Sequence, residues 1–176
     1  MQLSQSGEPP CDHVDRVRQL WANEAPELDT TPIAVIARLG RAHAYTDRAL
    51  NAVFAEYGLT RLSFDVLASL RRVGAPYRLT PTELYQALMR TSGAITHTLH
   101  QLVYAGLVER LPSEHDGRSV LVALTPAGVA LVDRVGPEHL ANERRMLAPL
   151  TAEEQATLAA LLRRLLIEFE REQGGP

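Results

Sequence analysis

The sequence contains no lysine, and all 18 of its basic residues are arginine. With alanine and leucine abundant, that bias reads first as the mark of a GC-rich genome and only second as chemistry. A single cysteine, Cys11, excludes an internal disulfide and any cysteine-built zinc or iron–sulfur centre, each of which takes several thiolates. No apolar run approaches the roughly 18 residues that a bilayer span requires. Met1 to Pro10 has neither the basic nor the apolar part of a secretory leader, so a cytoplasmic protein with no membrane attachment is expected. Excess positive charge is missing too. The net charge of −3 and pI of about 6.1 argue against a wholesale polyanion binder, so any nucleic-acid contact must be local. There is no Gly-x-Ser-x-Gly elbow, no phosphate-cradling glycine loop and no His/Glu metal motif, so neither an enzyme nor a bound cofactor or metal is expected.

What is present is a nearly continuous helical pattern in a chain of 176 residues, long enough for one soluble core. Asp12 to Glu24 reads as a first helix stopped by Pro26, and Pro32 to about Tyr57 as a long second one ended by Gly58. Thr60 to Val73 carries Leu62, Val66, Leu70 and Val73 on one stripe before Gly74. Thr80-Pro81-Thr82-Glu83 is a capping box with proline at the first helical position, opening a short helix to about Met89. Thr91 or Ser92 caps the next helix, where Ile95, Leu99, Leu102 and Val103 form the inner face until Gly106. Two helices joined by so short a turn predict a helix-turn-helix. Leu107 to Leu111 and Ser119 to Leu124 then read as strands of a hairpin, which makes the unit winged. Thr125-Pro126 caps a further helix that Gly136-Pro137 is expected to interrupt. Thr151-Ala152-Glu153-Glu154 opens a last helix with Leu158, Leu161, Leu162, Leu165 and Phe169 on one face.

The expected fold is therefore mostly α, a winged helix-turn-helix flanked by N- and C-terminal helices that form a dimerisation domain. Residues 1–11 would be a disordered tail and 12–57 the N-terminal helices. Residues 58–124 would be the winged unit and 125–172 the C-terminal dimerisation helices. A small winged unit cannot cover so many apolar faces, so a homodimer is expected. A recognition helix in a major groove uses its first turns, which makes Ser92, Thr96, His97 and His100 the candidates for DNA contact. Arg118, at the hairpin tip, is the candidate for a minor groove. The two histidines have metal-ligand spacing but no third ligand with them, so a metal role is not favoured. Residues 77–119 hold four arginines against four acids, so topology rather than charge points to double-stranded DNA.

The run from Thr80 to Val132 resembles the MarR family of dimeric winged-helix repressors. It shares the small-residue helix start Ser92-Gly93-Ala94, the stretch Ala105 to Arg110, the wing Asp116-Gly117-Arg118 and Leu124-Thr125-Pro126-Ala127-Gly128. The flanks, Val17 to Trp21 and Leu147 to Gln155, are most similar to the urate-responsive branch, which has an additional N-terminal helix. That resemblance implies a repressor released from a pseudo-palindromic operator by a small organic anion, with Trp21, Asp65 and Arg110 shaping the response. Thr98 stands where the branch has a fourth such residue, an arginine of the recognition helix. Trp21 as plain packing and Asp65 as a surface partner of Arg61 or Arg72 are the simpler readings of those residues. Two other functions stay open at this point: a redox-responsive regulator of the same family using Cys11, and a dimerisation module that has lost DNA binding.

Overall fold

The computed structural model describes residues 10–112 and 120–172. The chain divides between Arg48 and Ala49 into two compact units. In the first, α1 (His13–Glu24) is capped by Asp12, whose carboxylate accepts from the Val14 and Asp15 amides, while Asp15 reaches back to the Asp12 amide. The long helix α2 (Ile33–Ala55) starts in this unit behind Pro32. Its Arg38 ties the two helices together, with Nε 2.8 Å from Asp12 and Nη2 2.6 Å from Asp15. The Asp15 amide and the Arg38 guanidinium together hold the Asp12 carboxyl at about 2.

The second unit contains the end of α2, then α3 (Arg61–Arg72), β1 (Arg78–Leu79), α4 (Pro81–Leu88), α5 (Ser92–Tyr104), β2 (Val108–Pro112), β3 (Val120–Leu124), α6 (Pro126–Leu147) and α7 (Ala152–Glu172). Threonine caps at Thr60, Thr80, Thr91 and Thr125 start α3, α4, α5 and α6, each accepting from an amide in the first turn. Gly58, Gly74 and Gly106 stand at positive φ where the helical patterns stop. Phe54, Leu67, Leu70, Leu84, Ile95, Leu99, Val122 and Val135 form one core drawn from α2 to α6. The sheet is antiparallel in the order β1-β3-β2, with Val108 opposite Leu124 and Pro112 opposite Val120.

One element was not foreseen and three expectations need correction, the first being Val73, read onto the apolar stripe of α3 but 49% exposed as that helix's C-cap. The two-residue strand β1, paired through Arg78 with Ala123 and Leu79 with Val122, was not foreseen; it is too short to carry an alternation. Gly136-Pro137 does not interrupt α6, which runs unbroken from Pro126 to Leu147. Proline deprives the Asp133 carbonyl of its helical donor, but Asp133 is on the exposed side, where a carbonyl without a helical partner is open to solvent and the loss costs little. Val132 and Val135 meanwhile hold the buried side. Val103, placed on the inner face of α5, is 39% exposed, whereas Ile95, Leu99 and Leu102 are buried. The wing turn with Arg118, most of the expected N-terminal tail and Gln173–Pro176 lie outside the described residues.

Candidate nucleic-acid interface

The outer face of α5 follows from how its inner face is buried. Ile95, Leu99 and Leu102 anchor the helix, which packs on α3, α4 and β2. Helical geometry then turns Ser92, Thr96, His97 and His100 outward, and all four are exposed. Thr91 rather than Ser92 is the cap, its hydroxyl accepting from the Ala94 amide at 3.3 Å, which leaves the Ser92 side chain at the very start of the helix. The exposed face bears hydroxyl, imidazole and amide groups and no fixed charge, so it can exchange hydrogen bonds with base edges or phosphates but attracts DNA little from a distance.

Beside this face runs a groove of about 560 Å³ between α5 and the α2–α3 corner, lined by Tyr57, Thr60, Ser63, His97, His100 and Tyr104 among others. Sequence periodicity gave no sign of it, because its two walls come from separate helices. Tyr57 is held from behind: its hydroxyl donates to Glu138, which pushes the phenol up, and the Arg134 guanidinium lies 5.3 Å over the ring.

Of the three effector candidates, Asp65 has the most developed surroundings. It sits half-buried on α3, where desolvation pushes its carboxyl up against the opposing pull of Arg61, Arg90 and His139. Arg61 is one turn back, with Nε 3.6 Å from the carboxylate. His139 stands against the stacked rings of Phe54 and Phe64, 5.2 Å from each, with Nε2 3.4 Å from Glu143. Its Nδ1 is buried without a hydrogen-bond partner among the described residues. Sequence reasoning missed Arg90 and His139 here, since neither lies at helical spacing from Asp65. Arg110 is exposed on β2 opposite Val122 and is not one of the charges acting on Asp65. Trp21, on α1 in the first unit, is 44% exposed. Thr98 is only 5% exposed, so the position that lacks the expected arginine belongs to the buried side of α5 and not to its DNA side.

A capped short helix, a tight turn, a second helix with a polar outer face and a β-hairpin behind it define a winged helix-turn-helix DNA-binding protein. The comparisons agree: residues 57–119 match the MarR family model. The chain is 45% identical over 152 residues to the transcriptional regulator PecS of Dickeya dadantii, covering 86% of this chain and 92% of that one. It belongs to the MarR family, whose members are transcription regulators and not enzymes. Among solved structures, a mutant MarR of Escherichia coli in complex with operator DNA superposes with a TM-score of 0.69 at 34% identity, covering 84% of this chain and 98% of that one. BpsR of Bordetella bronchiseptica, whose DNA binding is regulated by 6-hydroxynicotinic acid, superposes at 0.68 and 25% identity, covering 75% and 98%.

Proposed function

We propose that the protein is a repressor that binds a pseudo-palindromic operator as a homodimer and is released by a small organic anion. The observation that carries the DNA half is the outer face of α5, with Ser92, Thr96, His97 and His100 exposed on a helix fixed by the buried Ile95, Leu99 and Leu102. Arg118, in the wing sequence, is assigned to the minor groove. The dimer half rests on α7, none of whose 21 residues is buried, although Leu158, Leu161, Leu165, Leu166, Ile167 and Phe169 are apolar. A stripe of that size left in water is unfavourable, and a second copy would cover it. Two recognition helices so joined enter successive major grooves, so half-sites stand roughly 10 base pairs apart.

The effector half rests on the resemblance to the urate-responsive branch at Trp21, Asp65 and Arg110. The gathering of Arg61, Arg90 and His139 about a half-buried carboxyl supports it, because an anion of suitable shape can compete for those cations. Urate itself is expected to bind weakly: one missing cationic partner, at Thr98, costs on the order of 2 kcal/mol, about thirtyfold in affinity. The test is a gel shift with the DNA flanking the gene, repeated with urate and with 6-hydroxynicotinate, alongside the fluorescence of Trp21, the only tryptophan. A shift that neither acid reverses, with Trp21 emission unchanged, would reject the anion and leave the operator reading in place.

A further inference from the structure

Between α4 and α5 the chain makes its turn in two steps fixed at both ends. Leu84 is fully buried before the turn, and Leu88 packs on the core. After it, Thr91 caps α5. The turn closes by hydrogen bonds from the Met89 amide to the Gln86 carbonyl at 3.4 Å and from the Arg90 amide to the Tyr85 carbonyl at 3.3 Å. This closure puts Met89 in the left-handed region, at φ 50° and ψ 44°. Glycine occupies such a helix-ending position without a Cβ penalty, and asparagine tolerates it. Methionine does neither, and its side chain is not buried in return: Met89 is 74% exposed and is not among the described side chains packed on the core.

We infer that Met89 is an apolar anchor on DNA, its thioether lying against thymine methyl or deoxyribose carbons beside the point where α5 enters the groove. The inference rests on α5 being the recognition helix. Three features support it: an exposed side chain on a turn that both flanking helices fix, a left-handed backbone that its residue type does not favour, and a place three residues before Ser92, the exposed first residue of α5. An unbranched, polarisable side chain adapts to an irregular apolar edge better than the polar residues around it. Such a contact neutralises no phosphate, so it would add affinity without adding to the salt dependence, and sequence preference as well where the partner is the thymine methyl.

The test uses the full-length protein and an operator obtained by selection from random DNA. Met89→Gly and Met89→Asn are expected to hold or raise the thermal midpoint, because both suit the left-handed turn. They should also weaken operator binding by about five- to tenfold with the salt slope unchanged. Met89→Leu should keep affinity within about threefold. Replacing the half-site thymines by deoxyuracil separates the two apolar sources. If the parent loses affinity and Met89→Asn does not, the contact is the methyl; if both respond alike while Met89→Asn remains the weaker binder, it is the sugar. Met89→Asn binding as tightly as the parent, or Met89→Leu binding as poorly as Met89→Asn, overturns the inference. A parent that selects no DNA overturns the operator reading, and this inference with it.

Discussion

Adding one methyl group at Gly128 sets two opposite expectations against each other. Within a helix, glycine to alanine ordinarily stabilises by up to about 1 kcal/mol. At Gly128, in the first turn of α6, a Cβ would lie 2.1 Å from the Leu107 carbonyl oxygen and 3.0 Å from a Leu124 methyl. The helix start would have to retreat by roughly 1 Å or more to restore ordinary contact. That retreat strains the join between α5, the wing and α6, because the Thr125 amide donates to the same Leu107 oxygen at 3.1 Å and the Thr125 hydroxyl to the Gly106 carbonyl at 2.7 Å. Overpacking costs about 1–3 kcal/mol and a weakened hydrogen bond about 1 kcal/mol. After the helix-propensity gain, Gly128→Ala should lose roughly 1–3 kcal/mol. Gly93→Ala is the control, since nothing lies within 4 Å of its added carbon, and it should be neutral or gain up to about 1 kcal/mol. Urea denaturation at one fixed protein concentration measures both. Gly128→Ala as stable as the parent would refute the reasoning.

Asp12, Glu83 and Glu154 have lowered carboxyls, each bonded to an amide in its own helix start. Their stabilisation is present above the usual carboxylate range and is lost as pH falls below it, for Asp12 down to about 2; Glu83→Gln and Glu154→Gln should flatten the acid-unfolding curve below the ordinary glutamate range. Asp65 has the opposite sign: its carboxyl is raised by burial, so ionisation opposes folding as pH rises past the ordinary carboxylate range. Asp65→Asn should be at least as stable as the parent at pH 7, while effector release of DNA, measured by gel shift, should fail. Arg118→Ala should weaken operator binding and reduce the salt slope, whereas His97→Ala should mainly relax sequence preference in a selection experiment. Light scattering should give twice the mass of one chain at micromolar concentration; a monomer would remove the dimer from the account.

The elements that could be read from the sequence are those whose boundaries have local chemistry. Thr80 with Glu83 and Thr151 with Glu154 form reciprocal caps three residues apart, and Gly58, Gly74 and Gly106 stop helices by taking a positive φ. The inner face of α5 was legible for the same reason, apart from Val103, which a wheel places near the boundary and the packing leaves outside. What could not be read depends on distant partners. Strand β1 exists because β3 offers Val122 and Ala123 to pair with it, and α6 continues through Pro137 because its other face is packed. Around Asp65, the pull of Arg90 and His139 comes from a turn and from α6, which no spacing within α3 announces. The outward set Ser92, Thr96, His97 and His100 was found because it is the complement of a buried stripe. The candidate effector residues came from resemblance, and Arg110 is not among the charges acting on Asp65.

The central claim is that a uniformly uncharged helix face reads an operator in duplicate. Footprinting on the DNA beside the protein's own gene, over a series of salt concentrations, tests it most directly. The account predicts two protected half-sites related by a dyad and centred roughly 10 base pairs apart, with protection weakening as salt rises. A single unrepeated half-site, or no protection at low salt, would contradict it.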